Sequence, residues 1–379
     1  MKPASSYRGK EQTFVKHFFF EKYLEKVAYN IGYAYNEFVY VDCFSGPWRA
    51  NDEQLADTSI RISLDQLNRV LEGFSAQKRR PTIRAIFVEK DPEAFVSLTK
   101  ALHDHSGAIK TKAFPGTFEE NIQAILQEVG TAFAFFFIDP KGWKGFAMDN
   151  IKPILLHHPG EVMVNFMYDF INRFLAHPSK ASEESLDLFF GTPSWRDICS
   201  LPNREEASVA LYEEQLRATG GFTFVTATRI LKPTDNRTYF HLIYGTRNPK
   251  GIIEFRNVEK KATSVQDNVR DYAKREDREQ RTGQAELTFA PPDTLAAATQ
   301  AHREQQLKKA EAKLDTILDQ GPIRYDLLQP LILEISLVWN TDLNKMLLER
   351  QKKGSLFIEG LRAQQRTPSK GCTIRPITP

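Results

Sequence analysis

The stretch that most limits what this chain can fold into is Phe38 to Arg49, FVYVDCFSGPWR. An apolar β-type run ends on an acid, Asp42, and a small-residue turn with one glycine, Gly46, follows at once. In an open α/β sheet ligands sit off the carboxyl ends of the strands, so a nucleotide-type crevice opens in this way. The residues up to about Arg247 read as layers built around that strand end.

A helix precedes the strand, because Phe20, Leu24, Val27 and Ile31 recur at helical spacing with Glu21, Glu25 and Lys26 on the other face. Lys16 and His17 stand at its beginning and are expected to be solvated. After the strand, Ile60, Leu64, Leu67, Leu71 and Phe74 keep the same rhythm. Ile83 to Val88 is a second β-type run, and it ends on Glu89. Asp91 can cap the helix that follows, and Pro92 suits its first position, where a missing N–H costs nothing. A carboxylate at the tip of a second strand can accept both ribose hydroxyls of an adenosine, and Glu89 is the candidate for that contact.

Ile109 to Phe114 reads as a third strand, followed by a helix through Phe118, Ile122, Ile125 and Val129. Thr117 and Glu120 form a capping-box pattern that fixes its start, so its free N–H groups are expected to face the same crevice. Ala132 to Asp139, AFAFFFID, is an uninterrupted apolar run of strand length, which suits a central strand covered on both faces. Asp139 then emerges at its tip, followed by PKGWKG. Glu161 to Met167 is the next strand and leads into Tyr168-Asp169 and Asn172-Arg173. From about 175 to 218 the pattern is helical but irregular, and an insertion or lid is expected there. Phe222 to Leu231 and Tyr239 to Thr246 are β-type runs joined by the turn-rich KPTDNRT.

Composition excludes several classes. The 379 residues allow two or three domains, and a 41% hydrophobic content is ample for a core. Lys plus Arg outnumber Asp plus Glu by only 51 to 48, so net charge alone argues for no polyanion partner. The longest apolar run falls far short of the roughly 20 residues of a membrane span. MKPASSYRGK is followed by no apolar signal core, so a cytosolic, membrane-free protein is expected. Cys43, Cys199 and Cys372 lie far apart without a CxxC pair, which argues against a metal site or a disulfide framework, and Cys43 reads as core.

Five βα repeats ending in a hairpin, with acids at the tips of the first, second and fourth strands, resemble the Rossmann-like fold of S-adenosylmethionine-dependent methyltransferases. The resemblance implies a mostly parallel sheet with an antiparallel last strand and S-adenosylmethionine as cofactor. It makes Asp42, Phe44, Ser45, Gly46 and Pro47 the first cofactor motif, with Glu89, Thr117, Phe118, Asp139 and Pro140 completing the crevice. Two departures stand out. Only Gly46 is left of the several glycines usual in the first motif, and Lys141-Gly142 replaces the second proline and aromatic of the amino-methylating enzymes, with Trp143 one place late.

A narrower likeness covers roughly residues 13–173: KHFFFEKYL, YVDCFSGPWR, DTSIRISL, FVEKDP, FFIDPKG and NFM with a following NR come in the order and spacing of the bacterial three-Cys-motif partner family. It implies a partner, a three-cysteine protein resembling radical S-adenosylmethionine enzymes.

Beyond Arg247, Phe255, Val258, Ala262, Val265, Val269 and Tyr272 mark one long helix, and DYAKREDREQR reads as a solvated face of mixed charge. Ala290-Pro291-Pro292 is the expected linker between a first domain at 1–290 and a second at 295–379. Three helical segments and a hairpin there are similar to a winged helix-turn-helix, with Thr341 as the cap of the third helix. From Lys345 onward, Lys345, Arg350, Lys352, Lys353, Arg362, Arg366, Lys370 and Arg375 face only Glu349 and Glu359, a footprint suited to nucleic acid.

Two functions compete. In a methyltransferase, Asp139 would hydrogen-bond an amino or hydroxyl acceptor, while Lys141, Tyr168 and Arg173 would orient a phosphate-bearing substrate. In a degenerate scaffold, the same fold would hold nucleic acid or substrate for the partner protein.

Overall fold

The computed structural model describes residues 7–46, 58–105, 107–283, 295–362 and 364–377. Pro47, Trp48, Arg49 and the expected linker Ala290-Pro291-Pro292 lie outside the described residues. The chain alternates helix and strand from its start: α1 (Glu11–Ala34), β1 (Glu37–Asp42), α2 (Ser59–Ala76), β2 (Thr82–Glu89), α3 (Pro92–Asp104), β3 (Lys110–Pro115), α4 (Phe118–Val129), β4 (Phe133–Ile138), α5 (Met148–Leu156) and β5 (Gly160–Phe166). Four helices, α6 (Tyr168–Ala176), α7 (Lys180–Phe190), α8 (Trp195–Ile198) and α9 (Arg204–Gly220), lead to the hairpin β6 (Phe224–Leu231) and β7 (Thr238–Thr246), and then to α10 (Pro249–Thr282).

Among the described residues these seven strands form one sheet in the order β3-β2-β1-β4-β5-β7-β6. β7 runs antiparallel between β5 and β6, and the other described pairings are parallel. This is the expected α/β architecture, a mostly parallel Rossmann-like sheet with an antiparallel last strand. The period of two in each strand sorts side chains between two cores. Phe38, Tyr40, Phe135 and Phe137 pack with α1, α2, α3 and α10 on one face, while Val39, Val41, Phe136 and Ile138 pack with α4 to α9 on the other. Burying each such ring stabilises the fold by about 1.5–3 kcal/mol.

The stretch 175–218 is a layer of this second core and not a lid. Leu186, Phe190, Trp195, Tyr212 and Leu216 are fully buried. Strands β5, β7 and β6 need a cover on that face, and α7 to α9 supply it. Several short helices share the task, so no single run of sequence carries a clean period.

On the first face α1 is anchored where the Tyr23 hydroxyl donates to Glu161 at 2.8 Å. Two turns earlier the same helix delivers Lys16 to the strand tips, because 16, 20, 24 and 27 lie on one stripe. Lys16 and His17 are therefore not the solvated pair the sequence suggests. The Lys16 side chain is 13% exposed, and His17 is buried with its ring nitrogen 3.2 Å from the Tyr7 hydroxyl.

The C-terminal module consists of α11 (Ala297–Leu318), β8 (Ile323–Arg324), α12 (Tyr325–Leu333), α13 (Asn340–Lys352), β9 (Leu356–Glu359) and β10 (Thr373–Pro376). Its strands pair antiparallel in the order β8-β10-β9 over a separate core. Thr341 is not the cap of α13. The helix starts one residue earlier, and Asp342 accepts the Trp339 N–H at 2.8 Å.

The module covers β6, an edge strand that would otherwise be open to pairing. Glu334 accepts the Val225 N–H at 3.3 Å, and its carbonyl accepts the Thr226 hydroxyl at 2.6 Å. Fully buried Arg256 donates to the carbonyls of Leu333 and Glu334 and pairs with Glu259 at 2.7 Å, while Glu259 accepts the Leu337 N–H. Removing one partner of such a pair costs about 3–5 kcal/mol, so this joint holds the module against the sheet.

Candidate functional site

Parallel pairing places the carboxyl ends of β2, β1, β4 and β5 side by side, so Glu89, Asp42, Asp139 and Asn165 meet along one rim. The turn after β1 is stitched to β2. Ser45 donates its N–H to the Val88 carbonyl at 2.9 Å and accepts the Val88 N–H on its hydroxyl at 3.1 Å. Gly46 follows at a φ of +64°, a left-handed conformation in which glycine avoids the steric cost of a Cβ.

Asp42 is completely buried and its carboxylate is used within the protein. It accepts the Phe44 N–H at 3.2 Å, the Ser59 hydroxyl at 3.0 Å and the Tyr40 hydroxyl at 3.2 Å, tying the turn to the start of α2. Burial first, and then the charge of Asp139, pushes its carboxyl up to about 7.

Glu89 differs. It is only 3% exposed, and one carboxylate oxygen accepts the Asp91 N–H at 2.8 Å. The other, Oε2, is buried without a hydrogen-bond partner among the described residues. An acceptor left this way costs the fold about 1–3 kcal/mol, more if charged. Two vicinal hydroxyls of a ribose are donors of the kind it lacks, so the residue fits a nucleoside cofactor.

Phe44, partly buried, packs on Phe118 at 5.5 Å and Phe146 at 5.9 Å. Phe118 is thereby core, and Pro140 is buried too. Thr117 forms the expected capping box with Glu120, which uses its hydroxyl in starting α4.

At the tip of β4, Asp139 has both oxygens engaged. Lys16 pairs with one at 2.5 Å, and the Asn165 amide donates to the other at 2.6 Å. The carboxylate can only accept, which fixes the amide orientation and turns Asn165 Oδ1 the other way, where it is buried without a partner among the described residues. Gly142, at a φ of +144°, then turns the chain so that Trp143 packs on Phe174 at 4.1 Å and Phe170 at 5.4 Å. Trp143 is therefore core, not an aromatic presented to an acceptor.

The other expected catalytic residues do not gather on Asp139. Lys141 is exposed. Arg173, 68% exposed, pairs with Asp169 at 3.2 Å, and Asp169 also takes Lys232 at 2.6 Å. Tyr168 is buried in the second core, edge-on to His241 at 6.2 Å, and burial followed by Glu205 pushes its hydroxyl up to about 12.

On the C-terminal module, Lys345, Lys352, Lys353, Arg362 and Arg366 are exposed, whereas Arg350 is bound to Asp315 and Arg375 pairs with Glu359 at 2.8 Å.

Sequence reasoning missed Lys16, Asn165 and Ser59. Two left a signal: Lys16 continues the apolar stripe of its helix, and Asn165 is the one amide in the apolar run EVMVNFM. Ser59 left none.

No protein-family model and no curated protein matches the chain. Among solved structures it is similar to protein LPL1258 of Legionella pneumophila, a DUF519 protein, at 12% identity and a TM-score of 0.38, over 65% of this chain and 91% of that one. Cofactor-bound Rv0187 from MTB is similar at 13% identity and 0.30, over 60% and 79%. Loganic acid methyltransferase with SAH is similar at 10% and 0.29, over 74% and 91%. No helix of the described residues is long and apolar enough to cross a membrane.

Proposed function

We propose that this chain binds S-adenosylmethionine over the tips of β1 and β2 and transfers its methyl group to a nucleophile beside Asp139. The observation that carries this is the buried, unpartnered Glu89 Oε2 at the second strand tip of a sheet with this strand order. When bound, the cofactor would supply an activated methyl on a sulfonium. The chain itself needs only to hold and align, because displacement at such a centre is governed by geometry and by what happens to the acceptor proton. Glu89 would hold the ribose. Asp139, braced by Asn165, would accept the acceptor N–H or O–H once the Lys16 ammonium gives way to it. Exposed Lys141 and Arg173 at the rim would steer a phosphate-bearing acceptor, a nucleic acid or nucleotide-like molecule.

The sequence likeness over roughly 13–173 supports a finer reading, a three-Cys-motif partner protein working beside a three-cysteine protein that resembles radical S-adenosylmethionine enzymes. One observation favours the scaffold alternative. Lys16 and Asn165 already satisfy both Asp139 oxygens, as in a site retired from turnover.

Calorimetric titration of S-adenosylmethionine and S-adenosylhomocysteine into the folded protein tests the reading. Micromolar binding of both is expected. Heats no larger than dilution would remove the free-standing methyltransferase and leave the scaffold.

A further inference from the structure

We infer that the C-terminal module binds unpaired nucleic acid across the outer face of β9 and β10. The observation is a division of labour among its cations. Arg350 is engaged by Asp315, Arg375 by Glu359, and Lys345 lies 3.9 Å from Glu349. Lys352, Lys353, Arg362, Arg366 and Lys370 are all exposed, and none forms an ion pair with an acidic side chain among the described residues, although Lys370 stands near enough to Asp326 to help Arg324 hold that carboxyl down.

Their placement follows the strand. Lys352 and Lys353 end α13, just before β9, while Arg362, Arg366 and Lys370 belong to the connection from β9 to β10. A four-residue strand spans about 13 Å, so unpaired cations stand at both of its ends. Between them β9 turns Leu356 and Ile358 into the core and Phe357 outward, 51% exposed. Arg375 is the residue opposite Phe357 in the pairing of β10 with β9, and its guanidinium turns to Glu359 on the same outward face, so the charge available to a ligand comes from the cations at the ends of the strand.

An exposed large hydrophobic side chain is ordinary by itself, as Leu188 and Tyr272 show, and what sets Phe357 apart is the cations at both ends of its strand. That combination is well explained by a polyanion with planar groups to stack. Phosphates would neutralise the flanking cations with release of counterions, and an unpaired base would lie on Phe357, an arrangement worth about 1–3 kcal/mol per base. A duplex would offer the phosphates but not the base face. The inference deepens the methyltransferase reading by naming its acceptor class. Binding itself requires no cofactor, so the two can fail separately.

The test is fluorescence anisotropy with the full chain and labelled oligonucleotides of about 20 nucleotides, as single-stranded RNA, single-stranded DNA and duplex DNA. Wild type is expected to bind either single strand at least about tenfold more tightly than duplex. Replacing Lys352, Lys353, Arg362, Arg366 and Lys370 together by Ala should reduce the slope of log affinity against log salt by about 3.5, five contacts at about 0.7 each. Phe357→Ala should weaken single-strand binding about tenfold with the slope unchanged.

Circular dichroism and a cooperative thermal melt check that each variant is folded. The double variant Arg362→Ala with Arg366→Ala, confined to a surface connection, serves if the fivefold one is not. No binding by wild type at low salt, or a slope unmoved by the charge variants, would overturn the assignment. Equal affinity for duplex, or an inert Phe357→Ala, would overturn its restriction to unpaired strands.

Discussion

Glu89 and Asp139 stand at the same rim on strands separated only by β1, and they present opposite chemistry. Glu89 buries an oxygen that nothing in the described protein satisfies, whereas Asp139 has an ammonium on one oxygen and an amide on the other. Folding alone would remove the first arrangement and keep the second. At a strand tip, an incomplete carboxylate leaves room for donors from a ligand, and a completed one makes a substrate compete with the protein for access. On the methyltransferase reading proposed above, the cofactor half of the rim is preformed, and the acceptor half is latched by the first helix.

The sharpest way to break this contrast is Asp139→Asn. In an enzyme, methyl transfer from labelled S-adenosylmethionine should fall about 1,000-fold, within the range of a lost acid–base group, while cofactor affinity is kept. Unchanged transfer would place the chemistry elsewhere. Glu89→Ala should do the reverse and weaken cofactor binding about 100-fold by calorimetry, the loss of charged hydrogen bonds worth about 1.5–3 kcal/mol together with their second partner. Its thermal stability should stay within about 1 kcal/mol of wild type, since the unsatisfied oxygen leaves with the side chain and offsets the lost bond from the Asp91 N–H. Lys16→Met should cost about 2 kcal/mol in denaturant unfolding, a mostly buried ion pair broken on one side, with cofactor affinity altered less than about twofold.

Asp42, between the two, sharpens the comparison through pH. Its carboxyl is raised to about 7 from an ordinary 3.8, so between those values the native state keeps a proton that the unfolded chain has lost. The stabilisation is complete below about pH 4 and disappears as pH rises to 7, at no more than about 1.4 kcal/mol per pH unit. His17 opposes it. Burial, then Lys16, lowers its imidazole to about 3, so its share is present above about 6.5 and is lost on acidification. Asp42→Asn should therefore leave a stability profile that rises more steeply from pH 4 to 6.5 than that of wild type, and a profile unchanged in slope would contradict the buried, proton-holding Asp42.

What the sequence reveals follows the reach of each interaction. The strands, their order of acids and the Thr117 and Asp91 caps are local patterns, and they appear where the residues place them. The place of Glu89 at a strand tip was legible for the same reason, because where a strand ends depends on residues a few positions apart. Lys16 and Asp139 are joined across 123 positions, and only the angle of α1, set by Tyr23 on Glu161, brings them together. The burial of α7 to α9 likewise depends on which strands need cover, a property of the sheet and not of any helix. Thr341 looked like a cap by residue type, but Asp342 reaches back one turn and settles where α13 begins.

The most direct measurement is a crystal structure with S-adenosylhomocysteine soaked or co-crystallised. The ribose hydroxyls should lie about 3 Å from Glu89 Oε2, with Lys16 still on Asp139. A ligand bound away from the tip of β2, or a Glu89 whose free oxygen finds a protein donor while the ribose points elsewhere, would contradict the preformed cofactor half.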